Sequence, residues 1–224
     1  MSTWTTRSLA CPRCGVLASV RIAAGVHVAR APEVREQILA GQLHRFTCSG
    51  CDESTQVEAA FVYTDFPRHH WISVATPDEL ASWRDHEARL AGEVARAFEL
   101  GSPLAHPLAD GLRVRLVFGS VELREKLVVW GAGIDDALVE CVKVRAFASD
   151  PELAAPGSRL LVETVAADGL VLAWFAGAAD RTPARRVEVP GAWLADTDRD
   201  RASLAARFPE LFGSGFVSVA RLVN

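Results

Sequence analysis

Cys11-Pro12-Arg13-Cys14 and Cys48-Ser49-Gly50-Cys51 are the residues of this chain whose types and spacing could do chemistry. Two residues between paired cysteines let the chain turn back so that both sulfurs face one point. The backbone N–H groups of such a turn can donate to the thiolates. Two pairs supply four thiolates, the full ligand set of a closed tetrahedral site. In a reducing compartment these motifs read as metal ligands before they read as disulfides. Cys11, Cys14, Cys48 and Cys51 are therefore the expected ligands. Zn²⁺ is the expected ion, with Zn–S at about 2.3 Å, although iron fits the same cage. Four sulfurs leave no open position for water or substrate, so the expected role of the ion is structural. Pro12 presets the φ of the first turn. Gly15 and Gly50 are expected to take up the left-handed conformations that such knuckles demand. A redox dithiol would need a Cys-x-x-Cys beside a βαβ pattern, and no strand is expected before Cys11.

The remaining candidates are weaker. Cys141 stands among apolar residues with no local base and reads as a small buried hydrophobe. His69 and His70 are adjacent, so on a strand they point to opposite faces and do not share a metal. They read as surface or interface histidines. Asp135, Asp136 and Glu140 could form a divalent-metal cluster, but acids in the first turn of a helix are the usual answer to its dipole. That second reading is the expectation.

The elements that must position the cysteines are legible in outline. Val16 to Val28 is rich in β-branched residues and reads as one or two strands. Pro32 opens a short helix that closes near Gly41. His44 to Thr47 leads as a strand into the second cysteine pair, and Gln56 to Tyr63 returns as another. A turn and a strand follow between Asp65 and Ala75. Thr76-Pro77-Asp78-Glu79 is a capping box opening a helix to about Leu100, ended by Gly101-Ser102-Pro103. Leu112 to Gly119 reads as a strand. Ser120 caps a helix broken by Gly131-Ala132-Gly133, and Asp135 and Asp136 open the next. Beyond Pro151, strands are expected over 159–165, 170–175 and 185–189, then a helix over 196–212 and a terminal strand over 216–223. The fold class is α+β: a zinc-ribbon-like β unit with flanking helices over residues 1–150, then a small α+β unit over 151–224.

The chain has 224 residues, half of them hydrophobic, with 24 basic and 28 acidic side chains. That composition is ordinary for a soluble globular protein. No apolar run reaches the roughly 20 residues of a membrane span, and the first residues lack the apolar core of a signal peptide. A cytoplasmic location is the expectation. Only two of the 24 basic residues are lysines, Lys126 and Lys143. Residues 1–50 carry six Arg against two Glu, a mildly basic end on an acidic body.

The two cysteine pairs, the segment Phe66-Pro67-Arg68-His69-His70-Trp71, and Leu116-Val117-Phe118-Gly119 through Glu122-Leu123-Arg124-Glu125-Lys126-Leu127 together resemble the bacterial CpXC domain. Gly133 to Lys143 resembles its later part. The resemblance spans about residues 8–147 and implies a cysteine-ligated metal site in a family with no established activity. Only the first pair carries the proline of the motif.

Three functions follow as expectations. The first is an adaptor or protein-interaction module built on a structural zinc site, and a protein partner is expected. The second is nucleic-acid binding through Arg7, Arg13, Arg21 and Arg45 with Trp4 or Phe46; the acidic isoelectric point, near 5.9, argues against it. The third is a hydrolytic enzyme using His69, His70, Asp135, Asp136 or Glu140.

Overall fold

The computed structural model describes residues 2–99, 110–177 and 180–223. The chain divides into two compact units. The first comprises residues 1–80 and 84–123, and the second residues 81–83 and 124–224. The boundary read from the sequence at residue 150 falls inside the second unit.

The first unit is built on a mixed five-stranded sheet of order β1-β2-β5-β6-β7. β1 (Thr3–Ala10) and β2 (Leu17–His27) form an antiparallel hairpin, with Cys11 to Cys14 in its connection. β1 is a strand the sequence reading missed, because Thr3 to Ala10 is mostly polar and mostly exposed. α1 (Pro32–Leu39) starts at Pro32 and is followed by Gly41 at φ +64°. The return strand expected over 56–63 is two strands in two sheets. β4 (Ser54–Gln56) pairs with β3 (Arg45–Thr47), and β5 (Phe61–Asp65) joins the large sheet. Between them Glu58 leaves the strand pattern. Its carboxylate accepts from the Ser120 N–H at 2.9 Å and the Ser120 hydroxyl at 2.8 Å. β6 (His70–Ala75) pairs antiparallel with β5 and parallel with β7 (Arg113–Phe118).

The capping box holds in one direction: the Glu79 carboxylate accepts from both the N–H and the hydroxyl of Thr76. The segment winds first as a 3-10 helix over Pro77–Ser82, then as α2 (Trp83–Glu99). The expected stop at Gly101-Ser102-Pro103 lies outside the described residues. α3 (Ser120–Gly131) does begin at Ser120. Its start is held by Glu58, from far away in sequence, and by Glu122, whose carboxylate accepts from the Phe118 N–H at 2.7 Å. Replacing Glu58 with alanine leaves the first turn of α3 without that acceptor. A loss of about 1–2 kcal/mol is expected in urea denaturation.

The second unit carries the antiparallel sheet β10-β9-β8. It is formed by β8 (Arg159–Ala166), β9 (Gly169–Phe175) and β10 (Arg185–Pro190). α4 (Asp136–Ser149) packs against α5 (Gly191–Arg199). The single helix expected over 196–212 is three short ones: α5, α6 (Arg201–Arg207) and α7 (Pro209–Gly213). Pro209 starts a new helix, as a proline without an N–H can, so the helix before it ends at Arg207. The expected strand over 216–223 is absent: Phe216 to Val219 is irregular and Ala220–Val223 forms α8.

The reason lies in a buried charge cluster. Glu125 and Lys126 on α3, with Asp136, Glu140 and Lys143 on α4, are all at most 3% exposed. Lys126 Nζ lies 3.0 Å from Asp136 Oδ2 and donates to the Val217 carbonyl at 2.7 Å. Lys143 Nζ lies 2.8 Å from Glu125 and 2.7 Å from Glu140. The Val219 N–H donates to Glu140 at 2.8 Å, and the Val162 N–H donates to Glu125 at 2.6 Å. The backbone of 217–219 thus satisfies buried ions instead of a β-ladder. Both lysines of this arginine-rich chain sit in this cluster. A compact ammonium with three donors can reach several carboxylates where a planar guanidinium fork could not turn.

Candidate metal centre

The two cysteine pairs are held at matching turns. In the first, Cys11 N–H donates to the Val16 carbonyl and Gly15 N–H to the Cys11 carbonyl, each at 2.9 Å. In the second, Cys48 N–H donates to the Glu53 carbonyl at 2.8 Å and Asp52 N–H to the Cys48 carbonyl at 2.9 Å. The residue after each pair is left-handed: Gly15 at φ +75° and Asp52 at φ +54°. Aspartate is one of the few residues other than glycine that tolerate this region. The expectation for Gly50 is therefore corrected. It is not left-handed; it is glycine because a Cβ there would come within 2.9 Å of Val16 Cγ2 and 3.6 Å of Cys14 Sγ. Gly50 N–H also points at Cys48 Sγ, 3.3 Å away. A Gly50→Ala variant must displace the short, stiff Val16 side chain. A loss of about 1–2 kcal/mol in thermal stability is expected, with weaker metal retention against a chelator.

The four sulfurs converge. Cys11 and Cys51 lie 3.7 Å apart, Cys14 and Cys48 3.5 Å, and all four are within 4.8 Å of one another. These separations are far from a disulfide's S–S of about 2.05 Å. They match the edge of about 3.8 Å of a tetrahedron with metal–sulfur bonds of about 2.3 Å. The donor set therefore fits a metal ion, and no other group of His, Cys, Asp or Glu among the described residues is so placed.

Cys11 and Cys48 are buried, whereas Cys14 is exposed and Cys51 intermediate. The Cys14 N–H draws the Cys11 thiol down to about 7, burial opposes it, and the Arg13 N–H and neighbouring sulfurs assist. The Glu53 N–H favours the Cys51 thiolate, but burial and the other three sulfurs push Cys51 up to about 12. Four thiolates this close need a cation to be ionised together. The hairpins β1–β2 and β3–β4 that carry the turns share a small core: Val20, Ile22 and Ala59, with Leu9, Ala18, Phe46 and Val57 against it.

The other sequence candidates go elsewhere. His69 is left-handed at φ +56°, with Nδ1 3.1 Å from the Asp110 carbonyl. His70, expected at a surface, is buried on β6, and burial lowers it to about 4 despite Asp65 nearby. Asp135 is the N-cap of α4, accepting from the Ala137 N–H at 2.9 Å, and it pairs with Arg201 at 2.6 Å. Asp136 and Glu140 belong to the lysine cluster described above. Cys141 is buried on α4, and burial first, then Glu140 and Asp135, raise its thiol to about 11. Of the basic and aromatic candidates, Arg13 pairs with Glu53 at 3.4 Å on the surface. Trp4, Arg21, Arg45 and Phe46 come together on one cleft, with the Arg21 guanidinium 4.5 Å over the Trp4 ring. Its wall also holds His44, which sequence reasoning did not single out. His44 Nε2 accepts from the Ala23 N–H at 2.9 Å.

No described helix is long and apolar enough to cross a membrane. No curated protein and no solved structure matches the chain. The family model described as CpXC protein matches residues 9–143, more than half of the chain. That match begins just before the first cysteine pair and ends at Lys143 of the buried cluster. The chain belongs to the CpXC family.

Proposed function

We propose that this protein is a cytoplasmic, zinc-stapled interaction module without a catalytic centre of its own. The observation that carries the reading is the convergence of four sulfurs at tetrahedral spacing. A metal held by Cys11, Cys14, Cys48 and Cys51 has no open position for a substrate, so it ties the two hairpins together. Zinc is preferred over iron because closed four-thiolate sites that hold structure are its commonest use. With the metal confined to structure, what the protein does falls to its surfaces, and protein partners suit the acidic body better than polyanions.

Elemental analysis of the purified chain tests the metal: one zinc per chain supports the reading, and iron or no metal overturns it. In-cell crosslinking from sites on the first unit tests the interaction role. A saturable protein partner is expected; its absence would leave the module reading without support.

Nucleic-acid binding is the second reading, favoured by the gathering of Trp4, Arg21, Arg45 and Phe46 on one cleft. Retention on single-stranded oligonucleotides that weakens steeply with salt would establish it.

A further inference from the structure

β2 is paired unequally along its two edges. β1 accompanies it from Leu17 to Gly25, but β5 joins its other edge only at Gly25, Val26 and His27. Over Leu17 to Ala24 no described strand is hydrogen-bonded to that other edge. The Ala23 N–H points away from β1, since it donates to His44 Nε2. By strand alternation the N–H and carbonyl groups of Arg21 and Ser19 point the same way. Natural sheets seldom leave such an edge bare, because it is a template for another extended chain. Here the buried His44, left-handed at φ +58°, closes only the inner end.

Beside the open stretch lies a cleft of about 450 Å³, within the range of ligand sites. The sheet contributes Trp4, Ser19 and Arg21, α1 contributes Glu33 and Gln37, the loop before β3 contributes Gln42, and β3 itself contributes Arg45. Arg21 and Arg45 are exposed and stand against one acid, Glu33, so the cleft has a positive balance. The amides of Gln37 and Gln42 can both donate and accept, as peptide groups require. A nucleic acid would find two cations and one opposing carboxylate, which is little for a polyphosphate. An extended peptide finds alternating backbone donors and acceptors together with arginines for its acidic side chains.

We infer that the open edge of β2 at Ser19 and Arg21, with the cleft beside it, binds an extended acidic peptide segment of a partner protein by strand addition. This rests on the interaction-module reading and names the surface and the partner's chemistry.

The test uses the full metal-bound chain and a display library of random short peptides. Enrichment of extended, Asp/Glu-containing sequences is expected, with binding then measured by fluorescence anisotropy of synthetic versions. Ser19→Pro removes an outward N–H that the β1 ladder does not use. Arg21→Glu reverses the charge without altering the backbone. Each is expected to weaken binding by roughly tenfold or more while metal content and circular dichroism stay unchanged. Should Ser19→Pro fail to fold, Arg21→Glu carries the test alone. Peptides that bind both variants as well as the parent chain overturn the cleft but leave the interaction-module reading standing. A library that yields no binder overturns the peptide proposal, and the crosslinking experiment then decides the broader reading separately. Single-stranded oligonucleotide binding lost in Arg21→Glu, or a dimer lost in Ser19→Pro, would assign the cleft to nucleic acid or to a second copy and overturn the proposal too.

Discussion

Cys48→Ser is expected to release the metal and unfold the two hairpins. Cys48 is completely buried, and its N–H, carbonyl and sulfur all serve the second turn. A serine hydroxyl is shorter and stays protonated, so it cannot replace a thiolate as a ligand. What remains is the small core around Val20, Ile22 and Ala59. A core of that size does not hold two hairpins, whereas structural zinc supplies about 10–16 kcal/mol in small finger peptides. The expected readouts are loss of bound metal and loss of strand signal in circular dichroism. Chelation of the parent chain should do the same, and acid should too, because thiolate ligands must shed protons to bind. Cys141→Ser is the control: it changes a buried cysteine outside the site and should keep the metal. A Cys48→Ser chain that stays folded and as stable as the parent would show that the turns need no clasp.

Lys143→Met is expected to cost about 3–5 kcal/mol, read as a lower urea midpoint of the second unit. Three carboxyls share two ammonium groups in the cluster, all at most 3% exposed. Removing Lys143 leaves Glu125 and Glu140 without their closest cation, at 2.8 and 2.7 Å. Burial already raises Glu125, so that carboxyl gives up its proton reluctantly. Adding Glu125→Gln to Lys143→Met should recover part of the loss, because one uncompensated charge goes with it. The coupling in that double-mutant cycle separates the ion pair from packing.

The pH dependence has a definite sign. Burial would lower Lys143, but Glu125 and Glu140 overcome it and raise it above the ordinary lysine value. A raised lysine stabilises the fold fully below the unfolded value of about 10.4, and the contribution fades as pH climbs past that. The parent chain should therefore lose stability in strong alkali more steeply than Lys143→Met does. Parallel curves for the two proteins would contradict the network account.

How much of this was legible beforehand follows from the range of each interaction. Features set by a few neighbouring residues came through: Pro32 opening α1, Asp135 capping α4, and the strands β8 and β9. Features set by distant partners did not. Nothing local says that Glu58 will abandon its strand to hold Ser120, or that Phe216 to Val219 will give its backbone to Lys126 and Glu140. β1 was missed because its polar, exposed sequence has no alternation to betray it, although the β2 ladder holds it in place. His70 looked like a surface residue from its neighbours, but the sheet buries it.

The sequence alone determined which four sulfurs could meet and how many there are, because the Cys-x-x-Cys spacing dictates a local turn. It also contained the family resemblance, which the family model supports over residues 9–143. Only the tertiary structure decided that the two turns converge to sulfur separations of 3.5–3.7 Å. Only it showed why Gly50 must be glycine, where the two lysines go, and that the edge of β2 stands open beside a cleft. Those outcomes depend on groups tens of residues apart being brought within a few ångströms, which no local spacing records.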